Sequence, residues 1–573
     1  MKFFITYLSP YKWRMLVGFL IKVAGTLSEL FLPYILTHIL KNVIGTLELS
    51  RVAFYGGIMI LCAALACLCN IVANRMAARV SRDFSKQMRR DLFKKTLYLS
   101  SRDTDRFTIP SLESRITSDT YNVHSFVSMM QRMGVRAPIL LIGGMTLSFM
   151  IDAHLALVML AMLPFIFVII YLIRLRGIPL YSKVQKSVDS MIRVVREDTQ
   201  GIRVIKALSK NDYENRRYEA VNAALSRDER RAGTVMGIVN PVMTLLMNLG
   251  IASVVAFAAI RVSAGTSSPA TVIAFMQYFT LISMAMMSIS RIFVMYTKCS
   301  ASAKRISEVL DTPDSFTVTP DEGFAKKDAP HIEIKNVCFS YFGKRPDLDD
   351  ISISIPRGSS LGIIGATGSG KTTLIKLLIR FYEAGSGEIS ISGRPITSYT
   401  RSELTSLFGT ALQNDFLMAD TVKENISFGR DLSDEDVERA ARIAQAHDFI
   451  SALSDGYMHM LSPKGTNLSG GQRQRILIAR ALAAHPEILI LDDSSSALDY
   501  KTDAALRRAL ADELSDTTLI TVAQRVSSVK SCDNIIVLDE GRIIGAGTHE
   551  ELLLICPEYK EISDSQMGGA FVD

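Results

Sequence analysis

The sequence predicts two folds in series: an α-helical half with six membrane spans, then a soluble α/β half built on a largely parallel sheet. Three observations carry this. Six apolar stretches long enough to cross a bilayer fill the first half. Basic residues gather between alternate stretches. Near His331 the pattern changes to short β-type runs alternating with amphipathic helical ones. The bulk composition agrees, with 48% hydrophobic residues beside 21% charged ones.

A spanning helix needs about 20 mainly apolar residues. The stretches Met15–Leu40, Val52–Ala73, Val135–Ile151, Leu155–Ile173, Val239–Ile260 and Thr271–Met295 qualify. The run from Met15 is too long for a secretory signal core of about 7–15 residues. Phe3 to Trp13 reads as an interfacial helix, with Lys12 and Trp13 at headgroup level. The connections after the second and fourth stretches are long, helical in pattern and basic, carrying Arg75, Arg79, Arg82, Lys86, Arg89, Arg90, Lys183, Lys186, Arg193 and Arg196 among others. The short connections have only Lys41, Arg51 and Arg261 nearby. The positive-inside tendency therefore puts the long connections, the N-terminus and everything after Met295 in the cytoplasm. The same distribution turns the net charge of +7 into membrane orientation and argues against nucleic acid as a partner. The seven cysteines form no framework and read as small buried hydrophobes in a reducing compartment.

The domain boundaries follow: 1–312 for the membrane half, 313–330 for a linker rich in Pro, Asp and Lys, and 331–573 for the soluble half. In the soluble half the strongest signal runs from Gly365 through Gly368, Ser369, Gly370, Lys371, Thr372 and Thr373. It follows the apolar strand Leu361–Ile364 and opens an amphipathic helix, which is the context a P-loop needs. Its glycines let backbone N–H groups curl around a phosphate, and the helix N-terminus adds positive field. Lys371 is placed to reach the β- and γ-phosphates of ATP, and Thr372 to offer a hydroxyl to Mg²⁺. The apolar run Ile488–Leu491 ends in Asp492, the second carrier of Mg²⁺. Between the two lies Asn467-Leu468-Ser469-Gly470-Gly471-Gln472, where Ser469 is a natural N-cap and the glycines keep the helix start bare.

With that signature, LSGGQ, the chain resembles the ABC transporter family over nearly its whole length, the membrane half being of the ABC exporter type. The resemblance implies further roles. Tyr341 matches the aromatic that stacks on adenine, Gln413 the Q-loop glutamine that senses Mg²⁺, and Ser496 to Asp499 the D-loop at the dimer interface. In the family two such domains sandwich two ATP molecules, each between the P-loop of one and the LSGGQ of the other. Segments near Ser114–Asn122 and Lys206–Arg217 resemble coupling helices.

Two positions depart from the family. Asp493 stands where a glutamate polarises the attacking water, and Gln524 where a histidine contacts the γ-phosphate. Aspartate is one methylene shorter, and a misplacement of about 1 Å can cost roughly 100-fold in rate. Pro463 stands where exporters carry a glutamate facing the coupling helices. With its own LSGGQ intact, the chain resembles the degenerate-site subunit of a bacterial heterodimeric exporter, embedded in the cytoplasmic membrane. Its partner would be a second half-transporter supplying the Walker B glutamate and H-loop histidine, and its cargo an amphipathic small molecule. An importer of metal chelates, a homodimeric exporter and a non-transporting ATP-gated regulator are the alternative readings. For cargo, Glu29 is the candidate cavity group, favouring cations, with Met284 and Met287 as adaptable lining; Lys22 reads as snorkelling toward an interface.

Overall fold

Long apolar helices form in the first half because no water is available there to hydrogen-bond the backbone, so each span satisfies its own amides. The structure is a computed structural model that describes residues 2–43, 48–314, 316–319, 329–341, 343, 345–413 and 415–567. Most of the predicted linker, 315 and 320–328, lies outside the described residues. The chain divides into two compact units, Met1–Leu97 with Thr108–Thr312, and Tyr98–Phe107 with Pro313–Asp573.

In the first unit all six predicted stretches fall on helices: Lys12–His38, Leu49–Leu97, Val135–Ile151, Ala153–Ala207, Val239–Ser263 and Pro269–Leu310. Five continuous helical segments are long and apolar enough to cross a membrane, and a shorter apolar segment, Ala153–Ile169, opens the fourth helix. The second and fourth helices have 49 and 55 residues. At 1.5 Å per residue each is roughly 70–80 Å long, against a hydrocarbon core of about 30 Å, so each runs far past the bilayer. Ahead of the first span a short helix, Lys2–Leu8, and a tight turn, Ser9–Tyr11, leave Trp13 exposed.

Small residues set the approach of the first two spans. A Cβ on Gly25 would sit 2.7 Å from the Cβ of Cys69. Ala66, Ala73 and Ala77 are buried, while Ile60, Leu61 and Leu68 face outward as a lipid-facing surface would. The cysteines differ from expectation for the same reason. Cys299 and Cys556 are buried, but Cys67 is exposed and Cys62 and Cys69 are half-buried on the second helix; all seven are free thiols. At the far end of the bundle, Asp152 caps the fourth helix by accepting from the His154 and Leu155 amides, and its other oxygen lies 3.5 Å from Arg261 Nε. Elsewhere in the bundle, Asp119 is 2% exposed and accepts from Ser302 and Arg305 of the last helix.

The second unit holds two sheets. β1 (Ile332–Phe339), β2 (Leu348–Ile355), β4 (Ser386–Ile391) and β5 (Arg394–Pro395) form an antiparallel sheet of order β2-β1-β4-β5. β3 (Ser360–Gly365), β6 (Phe408–Ala411), β7 (Ile488–Asp492), β8 (Thr518–Val522), β9 (Asn534–Asp539) and β10 (Arg542–Gly547) form a second sheet of order β10-β9-β3-β8-β7-β6. It is parallel except for the β10 edge. β7 is buried along its whole length, which explains why it reads as an unbroken apolar run. β3 and β7, each parallel to β8 between them, deliver their carboxyl ends to one edge of the sheet, where an open α/β sheet offers a binding crevice.

Candidate functional site

The site grows from the end of β3. Gly370 has φ +103° and no side-chain cap, so the helix Lys371–Leu378 starts with free N–H groups. A Cβ on Gly370 would meet Leu348 Cδ2 at 2.7 Å, and one on Gly365 would meet the Leu538 carbonyl at 2.1 Å. Only glycine fits this cradle. Lys371 Nζ donates to the carbonyls of Gly365 and Ala366 at 2.8 and 2.7 Å, with Ser369 Oγ at 3.4 Å, closing the loop over its own concavity. Burial pushes the Lys371 ammonium below its usual pKa, against the pull of Asp492 and Asp493.

At the end of β7 the Thr372 hydroxyl donates to Asp492 Oδ2 at 3.2 Å. Asp492 is 2% exposed, and burial raises its carboxyl above the usual range. A hydroxyl and a buried carboxylate side by side at the mouth of a phosphate cradle are the hard oxygen donors Mg²⁺ takes. The next residue, Asp493, has left-handed backbone (φ +51°) and its amide donates to the Val522 carbonyl at 2.9 Å. One oxygen of its carboxylate, Oδ2, receives both Gln413 Nε2 at 3.3 Å and Gln524 Nε2 at 3.5 Å. Three residues from three separate loops thus converge on one point.

The membrane half matches the family described as ABC transporter transmembrane region over residues 15–286, and the soluble half matches the family described as ABC transporter over residues 348–496. The chain is 32% identical, over 99% of its own length and 98% of the relative's, to an uncharacterized ABC transporter ATP-binding protein of Mycobacterium tuberculosis. It is 32% identical to YfiB of Bacillus subtilis, an uncharacterized ABC transporter ATP-binding protein, over 98% of both chains. The chain belongs to the ABC transporter family. Its fold is that of a solved bacterial Atm1-family ABC exporter with ATP bound, at a TM-score of 0.82 and 23% identity, covering 98% of this chain and 99% of the other. It is therefore a multi-pass membrane protein with an ABC ATP-binding domain.

Within this ABC transporter chain the predicted residues separate into three groups. The P-loop residues, Asp492, Asp493, Gln413 and Gln524 come together as described. Tyr341 lies beside them: its hydroxyl is 3.4 Å from Thr373 Oγ1, its ring packs edge-on against Phe339 and Tyr382, and Lys376 Nζ sits 5.7 Å from its centroid. The signature residues form the start of a different helix, Gly470–Leu482. Ser469 accepts from the Gln472 amide at 3.2 Å while Gln472 Oε1 accepts from the Ser469 amide at 3.0 Å. Asp499 caps its own helix, Tyr500–Glu513, accepting from the Thr502 amide and hydroxyl. Those bonds hold its carboxyl below the usual pKa.

The membrane candidates need correction. Glu29 is not a free cavity carboxylate: Arg136 clamps it with two bonds, 3.2 and 2.5 Å, so its charge is already balanced. Lys22 does not snorkel. It is 4% exposed and donates to Asn70 and Asn74 of the second helix at 2.6 and 3.2 Å. Met284 faces outward and Met287 is half-buried. Ser114–Asn122 belongs to the first unit, where Asn122 donates to Ser302. Tyr98–Phe107 belongs to the second unit, where Asp105 accepts from the Tyr382 hydroxyl and the Arg401 guanidinium lies 5.6 Å from the Tyr98 ring. This contact escapes sequence reasoning because SRDTDRF carries no motif. Lys206–Arg217 stays in the first unit, with Arg217 paired to Glu197 and Glu214.

Proposed function

We propose that this chain is one subunit of a heterodimeric exporter of amphipathic small molecules in the bacterial cytoplasmic membrane, with its N-terminus and ATP-binding domain in the cytoplasm. Its own P-loop site binds ATP with Mg²⁺ and hydrolyses it slowly. Its LSGGQ completes the partner's site, where a glutamate and a histidine carry most of the turnover. ATP closes the two cytoplasmic domains and turns the cavity outward, and hydrolysis at the partner's site resets the cycle.

The observation that supports this reading is the corner at Asp493. The side chain is one methylene short of the family glutamate, and the amides of both Gln413 and Gln524 lie against its single oxygen Oδ2. Oδ2 is thus occupied by two amides rather than free to orient a water, and an amide at 524 cannot carry the positive charge an imidazolium can.

The test is ATP turnover of the purified chain alone and assembled with its partner. We expect near-zero turnover alone and robust turnover together. In the pair, Asp493→Glu raises turnover only modestly, and Asp493→Glu with Gln524→His raises it by about 100-fold at this site. Full activity of the unaltered chain alone sinks the degenerate-site reading and makes a homodimer the working unit.

A further inference from the structure

Arg136 draws attention to the space around it. A cavity of about 440 Å³ opens between the first, second and third membrane helices, lined by Lys22, Asn74, His124, Ser128, Arg132 and Arg136 among others. Three of its lining residues are cations and none is a carboxylate. Arg136 is balanced by Glu29. Lys22 is held only by the neutral amide oxygens of Asn70 and Asn74. Arg132 Nε donates to the Ser128 carbonyl at 3.3 Å. Two positive charges thus face the cavity with no counter-charge among its described lining.

A charge within a membrane span, as Lys22 is in the first, is costly unless something neutralises it, and Arg132 stands exposed just ahead of the third. Lys22 lies ten residues into its helix from Lys12, about 15 Å along the axis, and is too buried to reach an interface. Hydroxyls and a ring nitrogen add neutral hydrogen-bonding groups. His124 Nδ1 bonds the Ser81 carbonyl at 3.0 Å, which fixes that nitrogen as the donor. The wall that carries Arg132 also contains a wide π-turn, Met130–Gly134, a distortion frequent at binding sites.

We propose that this cavity is a binding site for the anionic group of a ligand, a phosphate or carboxylate, held by Lys22 and Arg132 with Arg136 in reserve behind Glu29. This rests on the transport reading and supplies its cargo class: an amphipath with a negative head. Arg132 provides a planar fork that matches such oxygens two at a time, and Lys22 a point charge.

The test uses the purified full-length chain in a neutral detergent and two fluorescent probes, dansyl-labelled decyl phosphate and dansyl-labelled decyltrimethylammonium, followed by anisotropy. The phosphate probe is expected to bind at least about tenfold tighter than the ammonium probe, one charge-assisted hydrogen bond being worth that much. Arg132→Gln should lose about tenfold of that affinity, since each charge-assisted contact contributes on this scale. Glu29→Gln should raise it by releasing Arg136. An unchanged unfolding midpoint establishes that the Arg132→Gln protein is folded. Equal binding of the two probes, or an Arg132→Gln protein that binds like the parent, overturns the inference. Displacement by hexyl phosphate identifies a soluble anion, displacement only by dioctanoyl phosphatidylglycerol identifies a lipid headgroup, and displacement by neither overturns the site. ATP turnover of the assembled pair is read on the same parent preparation. Intact turnover without anion binding removes this inference alone, and anion binding without turnover removes the transporter-subunit reading alone.

Discussion

Two helix starts in the ATP-binding domain, Lys371–Leu378 and Gly470–Leu482, are both proposed to present N–H groups to phosphate, and the structure prepares them differently. The first begins after a left-handed glycine with no side-chain cap, so its amides are open. The second begins with a complete capping box, Ser469 and Gln472 each satisfying the other's backbone. One is preorganised to bind whenever nucleotide is present. The other has its Gln472 amide taken by Ser469 Oγ and leaves only those of Gly470 and Gly471 for a phosphate. The difference teaches how a shared site can be asymmetric in time. On the proposed reading the P-loop is expected to hold ATP in the isolated chain, and the signature to engage only when a second domain brings a phosphate to it.

The largest effect should come from the open helix start. Lys371→Ala is expected to weaken ATP binding to the isolated chain by about 100-fold, the scale of a strong charge-assisted hydrogen bond, as titrated with a fluorescent ATP analogue. Ser469→Ala should leave that affinity unchanged and lower the turnover of the assembled pair by roughly tenfold, alongside a loss of about 1 kcal/mol of cap stability. A Ser469→Ala chain that binds its own ATP poorly would break the comparison, because the two starts would then serve one nucleotide.

The smallest effect concerns Asp492, whose carboxyl is raised by burial. Its ionised form holds Mg²⁺, so metal-dependent ATP binding is present above the raised folded pKa and is lost as pH falls through it. That loss begins at a higher pH than for an ordinary aspartate near 3.9. Because the folded state binds this proton more readily than the unfolded one, ionisation of Asp492 destabilises the nucleotide-free protein. Asp492→Asn should therefore raise its unfolding midpoint at neutral pH by a few degrees, about 2–4 °C per kcal/mol for a domain of this size, while abolishing the Mg²⁺ dependence. A lower midpoint would show that the Thr372 bond outweighs the desolvation.

The phosphate cradle was legible because every part of it is local. A strand, five residues of glycine-rich loop and a helix start are contiguous in sequence, and the conformations they need are ones glycine alone adopts. The spans were legible because their length is set by the bilayer and not by any partner helix. The membership of Tyr98–Phe107 in the second unit was not. Tyr98–Phe107 is polar and short, and its meaning comes from Tyr382 and Arg401, far along the chain. The basic cavity left a faint trace: Arg132 and Arg136 stand four apart at the mouth of the third apolar stretch, a spacing that puts both on one helix face.

What the sequence by itself determined is the kind of machine: an apolar multi-helix half, then an ATP-binding half with a P-loop and an LSGGQ. What only the tertiary structure decided is the sign of the charge in the membrane cavity. Glu29 read alone as an acidic group awaiting a cation, and Lys22 as a cation on its way to the interface. Folding places Arg136, 107 residues away, on Glu29, and Asn70 and Asn74 on Lys22. The physical reason is that charge inside a bilayer is fixed by pairing, and pairing between helices depends on distance in space, which periodicity along one helix cannot specify.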